Sequence, residues 1–368
     1  MKRYIGLLRA EAGLVCGGLT TVLFLAFGKA WLSQLENPWW TGCLFLWLFL
    51  AILWLCFVVV RHADALAVRL GEPYGTLLLT LSVIGIEVAM IAAVCLAGKV
   101  HPGLARDTMY SVVMIVLTGM LGGTLLAGGL RHHRQEYNLS GANAYLSVLV
   151  PLAVLSLVVP RFTHSAPGGS PSFLQAAFLL ITSAALYVTF LFVQIGRHST
   201  LFLSSSNQGE HESESSYSTS IHAVLLLSAM LPIVLLAKKL GVLVDHVVHT
   251  LKAPPELGGF LVAILVLSPE GLSAFRAAQD NRLQRTMNIL LGSATSTIGM
   301  TVPVVLGISL FSGHVLELGL ETRDIVMLVL TLFTSVITLA TGRTTLLQGA
   351  VHLILFAAYI MLIFDKVR

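Results

Sequence analysis

Long runs of apolar residues recur along the whole chain and are separated by short polar stretches. Most runs hold 18 or more mostly apolar residues, the length at which an α-helix crosses the hydrocarbon of a bilayer. They do not alternate apolar with polar positions, as the roughly ten-residue strands of a membrane β-barrel do. The spacing predicts eleven spanning helices, near 12–32, 38–60, 73–97, 108–130, 143–160, 172–196, 221–240, 257–275, 287–312, 324–341 and 345–364. The expected fold class is an all-α polytopic membrane protein. The amphipathic stretch 241–256 either lies at the membrane surface or extends the seventh span.

Two runs break the apolar rule in the same way. Leu70 to Ala93 carries Glu87 well inside it, and Leu257 to Ala274 carries Glu270. A charge at the bilayer centre costs about 3 kcal/mol on insertion scales, so two such acids point to a function. The simplest one is that the glutamates meet near the midplane and bind one cation. A kinked helix with a protonated, hydrogen-bonded glutamate is the plainer alternative.

The order of the spans supports a pairing. The polar, serine-rich stretch 204–220 reads as a flexible linker. Its Glu210, Glu212 and Glu214 are too loosely spaced for a firm calcium site, and a solvated linker is the simpler reading. Counting from the second span, five spans precede this linker and five follow. An odd number inverts the second half relative to the first, and inverted repeats place a site at the midplane. Glu87 and Glu270 each fall in the second span of their half. Just downstream, ARDTMYSVVMI (105–115) and LQRTMNILLGS (283–293) share a Thr-Met step. The expected organisation is an N-terminal segment with a leading helix over 1–37, a first repeat over 38–203, the linker over 204–220 and a second repeat over 221–368.

Other polar residues are candidates to support the pair. Glu72, in GEP, reads as a helix start at the membrane surface, either a helix-end carboxylate or part of a cation entrance. Ser268 precedes Pro269, whose missing N–H frees the Leu265 carbonyl four residues back. A freed carbonyl, hydroxyls and two carboxylates make the oxygen-rich setting of a hard cation. In GSATSTIGM (292–300), Ser293, Ser296 and Thr297 share a helical face, which presents hydroxyls to the glutamates or simply packs closely. Thr118 is the first-half counterpart. His132 and His133 read as surface loop residues, and Asp245, His246 and His249 as one interfacial face.

Composition agrees with the membrane reading and excludes other classes. Of 368 residues 56% are hydrophobic and 11% charged, against about 25% charged in soluble domains. The net charge of +4 is spread over loops and suits lipid headgroups, not nucleic acid. Cys16, Cys43, Cys56 and Cys95 lie in apolar runs without paired or metal spacing. No cleavable signal is evident at the N-terminus. No HExxH, P-loop, GxSxG or dinucleotide fingerprint occurs, which argues against an ATP-driven pump, a hydrolase and a bound cofactor. Twelve of the twenty-two Lys and Arg fall on the side of the N-terminus, which favours a cytoplasmic N-terminus.

The stretches LGEPYG…IEVAMI, SPEGLSAFRAAQDNRLQRTMNILLGSATS and GRTTLLQGAVHL resemble the bacterial ChaA-type branch of the calcium/proton antiporter family, within the calcium/cation antiporter superfamily. The resemblance spans nearly the whole chain. It implies eleven helices, a leading helix with two inverted five-helix repeats, and exchange of cations for protons. It also implies that Glu87 and Glu270 bind the cation. The sequence departs from the wider family's Gly-Asn-x-x-Glu motif, with Gly85-Ile86 before Glu87 and Ser268-Pro269 before Glu270, and Thr118 stands where relatives often carry Asn. Ca²⁺, Na⁺ and K⁺ all remain open as substrates. The expected function is secondary cation/proton antiport in the inner membrane, exporting Ca²⁺ or Na⁺ and K⁺, with lipid as the surrounding partner. A sodium/calcium-type exchanger without proton coupling, a cation channel and an intramembrane enzyme are the alternatives; the last lacks a His or Asp metal set in the spans.

Overall fold

The computed structural model describes residues 11–71, 74–95, 102–163, 169–196, 199–202, 217–250, 253–312 and 316–365. It is almost wholly helical. The helices are α1 (Ala12–Ala26), α2 (Gly28–Leu32), α3 (Pro38–Leu70), α4 (Tyr74–Cys95), α5 (Leu104–Met114), α6 (Leu121–His132), α7 (Leu139–Ala153), α8 (Phe173–Ile195), α9 (Thr219–Thr250), α10 (Glu256–Gln279), α11 (Leu283–Ser312), α12 (Thr322–Thr338) and α13 (Leu346–Phe364). Most expected spans fall on one of these helices, but 12–32 falls on both α1 and α2, 108–130 on α5 and α6 with a π turn between them, and 143–160 on α7 and the wider and tighter turns that continue it. Eight continuous helical stretches among the described residues are long and apolar enough to cross a membrane, and α1 is a shorter apolar helix. The chain is an all-α, multi-pass membrane protein. The amphipathic stretch after the seventh span extends α9 to Thr250. Most of the central linker, with Glu210, Glu212 and Glu214, lies outside the described residues.

The chain divides into two compact units, Met1–His101 with Glu212–Gly258, and Pro102–His211 with Gly259–Arg368. Each unit takes segments from both sides of the central linker.

In the first unit α9 packs against α3 and α4, and α1 packs against α3 and α9. Local chemistry starts α3: Pro38 occupies its first position, and the Asn37 side chain accepts from the Trp39 N–H at 3.1 Å. Trp31 packs edge-on against Phe24 at 5.2 Å, and the Trp40 indole donates to the Trp31 carbonyl at 3.2 Å. Amphipathic aromatics of this kind suit a membrane–water boundary. Further along α3, the His62 and His222 rings face each other, Nδ1 to Nδ1, at 2.9 Å. Glu11 meets His62 Nε2 at 3.2 Å and Arg61 at 2.6 Å.

In the second unit α11 is the central helix, packed against α7 and α8. Its polar run is deeply buried: Thr295, Ser296, Thr297 and Thr301 are all shielded. The outward side chains of α8, Phe173, Phe178, Ile181, Val188 and Phe192, form an exposed apolar stripe suited to lipid. A Ser172–Gln175 capping box opens that helix. Helices α6 and α13 pack together with almost no side chain between them. A Cβ on Gly349 would lie 2.6 Å from the Leu126 backbone nitrogen, and one on Gly122 would lie 2.9 Å from that of Leu353. Glycine permits this approach. Between α5 and α6 the helix widens to a π turn, Ile115–Met120. A short antiparallel ladder pairs Gln135 with Thr344 and Glu136 with Arg343. There Arg343 forms an exposed ion pair with Glu136 at 2.9 Å.

Candidate ion-binding glutamates

Glu87 is the fourteenth residue of α4, and only 2% of it is exposed. Its immediate helical neighbours Ile84, Ile86, Met90 and Ile91 are buried too. The Ser82 hydroxyl is spent on the Leu78 carbonyl at 2.7 Å. Gly85 admits α9 closely: a Cβ there would stand 3.3 Å from Met230 Cε. The helix that carries it is unbroken, with no proline within it.

Glu270 sits differently. It follows Ser268 and Pro269 inside α10 and precedes Gly271. The proline removes one rung of the helical ladder. The Ser268 hydroxyl donates to the Ile264 carbonyl at 2.5 Å, one residue before the carbonyl that the proline leaves open. Glu270 is partly buried, and its Oε2 is shielded with no hydrogen-bond partner among the described residues. Ser293 lies within hydrogen-bonding reach of its carboxyl group. An acceptor oxygen held away from water needs a proton or a cation.

The supporting residues separate into three groups. Ser293 does reach the glutamate of its own unit. Ser296 instead donates back to the Ser293 carbonyl at 3.0 Å, and Thr295 to the Leu291 carbonyl at 2.7 Å. Thr297 is buried on the same helix. Thr118 lies buried in the π turn and bonds the Met114 carbonyl. Glu72 lies outside the described residues.

The residues expected at the surface lie at or near helix ends. His132 meets the Gln279 carbonyl at 2.7 Å, His133 takes a positive φ of 61°, and His246 meets Thr250 at 3.3 Å. Cys16 and Cys43 are exposed free thiols and Cys56 is buried.

Two polar features escaped sequence reasoning. One is the π turn, which has no proline to announce it. The other is His352 on α13, which is fully buried against that turn. A lone histidine in an apolar run gives no signal of what it will touch.

Similarity to known proteins covers most of the chain. The family model described as "Sodium/calcium exchanger protein" matches residues 40–196 and 221–364. The sodium-potassium/proton antiporter ChaA of Escherichia coli is 42% identical over 321 residues, which is 86% of this chain and 87% of that protein. Two solved structures share the fold. YfkE superposes with a TM-score of 0.74 at 18% identity, covering 96% of this chain and 99% of its own. The H⁺/Ca²⁺ exchanger CAX superposes with a TM-score of 0.68 at 15% identity, covering 100% and 91%. With mid-helix carboxylates in an all-α membrane fold and a family match on both sides of the central linker, the chain belongs to the sodium/calcium exchanger protein family, whose members are transporters.

Proposed function

We propose that this protein is a cation/proton antiporter of the inner membrane, with its N-terminus in the cytoplasm, and that Glu87 and Glu270 bind the exchanged ions. One observation carries the reading: in each half of the sequence a carboxylate stands well inside an apolar helix, with Glu87 buried and an oxygen of Glu270 shielded from water. A carboxylate away from water is stable when protonated or neutralised by a cation. Competition of proton and cation for the same oxygens couples the two fluxes. Rocking of two inverted repeats around the site then exposes it to each side in turn. The similar proteins support proton coupling: the Escherichia coli relative is a sodium-potassium/proton antiporter, and YfkE is described as a Ca²⁺/H⁺ antiporter. The substrates proposed here are Ca²⁺ or the pair Na⁺ and K⁺. Ser293, Ser268, Ser296, Thr297, Thr118 and Glu72 are the supporting set.

The test uses everted vesicles with an imposed proton gradient and a fluorescent pH probe. Added Ca²⁺, Na⁺ or K⁺ should release protons in the wild type. E87Q and E270Q should each abolish that release while the protein still inserts, and the double variant should be no worse than either, because residues acting as a unit are not additive. Normal exchange by either single variant overturns its assignment. The family match favours one second reading, a sodium/calcium exchanger without proton coupling. Calcium movement driven by a sodium gradient at fixed pH, with no proton release, would select it.

A further inference from the structure

His352 is a buried polar side chain to which the proposed exchange gives no task. His352 Nδ1 lies 2.6 Å from the Leu117 carbonyl oxygen, and Nε2 lies 2.9 Å from the Thr338 hydroxyl at the end of α12. A carbonyl can only accept, so Nδ1 carries the ring proton and Nε2 takes the hydrogen of Thr338. The neighbours thus set the tautomer.

Leu117 is no ordinary helical carbonyl. It lies in the π turn, where the Leu121 N–H reaches back five residues to Val116 and three to Thr118. In a regular α-helix the Leu121 N–H would pair with Leu117, so its turn to Val116 and Thr118 takes away the regular partner of the Leu117 carbonyl. A carbonyl orphaned inside a membrane needs another donor, and His352 supplies it. The same turn ends against the glutamate helix. A Cβ added to Gly271, the residue after Glu270, would come within 2.6 Å of Met120 Cε. Closing the π turn to a regular helix would rotate Met120 by about 100° relative to α5 and lift it off Gly271.

We propose that His352 is a positioning residue for Glu270: it holds the turn Ile115–Met120 in its widened form, and the turn in turn fixes the segment Pro269–Gly271. This rests on the reading of Glu270 as a cation-binding residue. The placement of the donor makes the proposal testable. An Asn side chain puts an N–H where His puts Nδ1, whereas Gln puts it nearer the position of Nε2.

The experiment measures cation KM, maximal exchange rate and thermal stability for H352N, H352Q, H352L and E270Q in vesicles. H352L and H352Q should raise the cation KM about tenfold, the scale of one lost hydrogen bond, with maximal rate changed less than about twofold. H352N should restore KM to within about twofold of wild type. Should H352L fail to fold, the contrast between H352N and H352Q carries the test, since both keep an amide in the cavity. A wild-type KM in H352Q, or KM values that follow thermal stability and not donor position, overturns the positioning role. If E270Q is silent while the His352 variants keep wild-type KM, only the His352 assignment falls. If E270Q exchanges normally, the reading of Glu270 falls and takes this one with it.

Discussion

Helix α4 carries Glu87 on an unbroken ladder of hydrogen bonds among buried isoleucines, whereas α10 carries Glu270 directly after a proline, within reach of a serine and next to a glycine that receives Met120. The first acid stands on a regular helix with no proline in it. The second is held on a backbone that has already given up one rung and opened a carbonyl. The same residue type is thus presented with two kinds of support, one stiff and one adjustable. If both acids serve one exchange, the adjustable helix is the one able to rearrange its oxygens between proton and cation, and the stiff helix is the fixed reference.

Shortening each acid by one methylene breaks or sharpens that contrast most. E87D should lower exchange about a hundredfold, because a rigid helix cannot follow a displacement of roughly 1 Å, and E270D only about tenfold. Vesicle exchange rates of the two variants, side by side, check this; equal losses would refute the stiff-against-adjustable distinction. Next come the glycines. G349A drives a Cβ against the Leu126 backbone and should cost about 1–3 kcal/mol, read as a lower melting temperature in detergent. G85A meets only the flexible end of Met230 and should shift melting far less.

P269A restores the missing rung and closes the open carbonyl. It should make α10 more stable and raise the cation KM about fivefold, roughly the worth of one net hydrogen bond. A stabilised helix with unchanged KM would show that the carbonyl takes no part. S293A removes the hydroxyl beside Glu270 and should raise KM about threefold, a smaller share of the same hydrogen-bond scale. The smallest effect belongs to the surface: R343A breaks an exposed ion pair with Glu136 and should change stability by about 0.5 kcal/mol or less, measured by the same melting curves.

Much of this architecture is visible in the order of residues, for a physical reason. A bilayer demands long apolar helices whatever their neighbours, so span positions follow from hydropathy alone, and a carboxylate inside such a span stands out by its cost. Ends follow where local caps decide them, as with Asn37-Pro38 and Ser172–Gln175. The reach of α9 to Thr250 was ambiguous in sequence because an amphipathic stretch suits both a membrane surface and a helix extension. The hydroxyl run 293–297 shows the same limit. Spacing puts Ser293, Ser296 and Thr297 on one face, yet Ser293 reaches an acid while Ser296 bonds its own helix.

The sequence by itself determined the class of protein, the places where helices run and the two acids worth testing, because hydrophobic length and the penalty for buried charge are local properties. Tertiary structure alone decided the widened turn at Ile115–Met120 and the histidine that meets its spare carbonyl from 235 residues away. A hydrogen bond across that separation depends on which helices pack together, and no pattern in either segment encodes the distance between a ring nitrogen and a carbonyl oxygen.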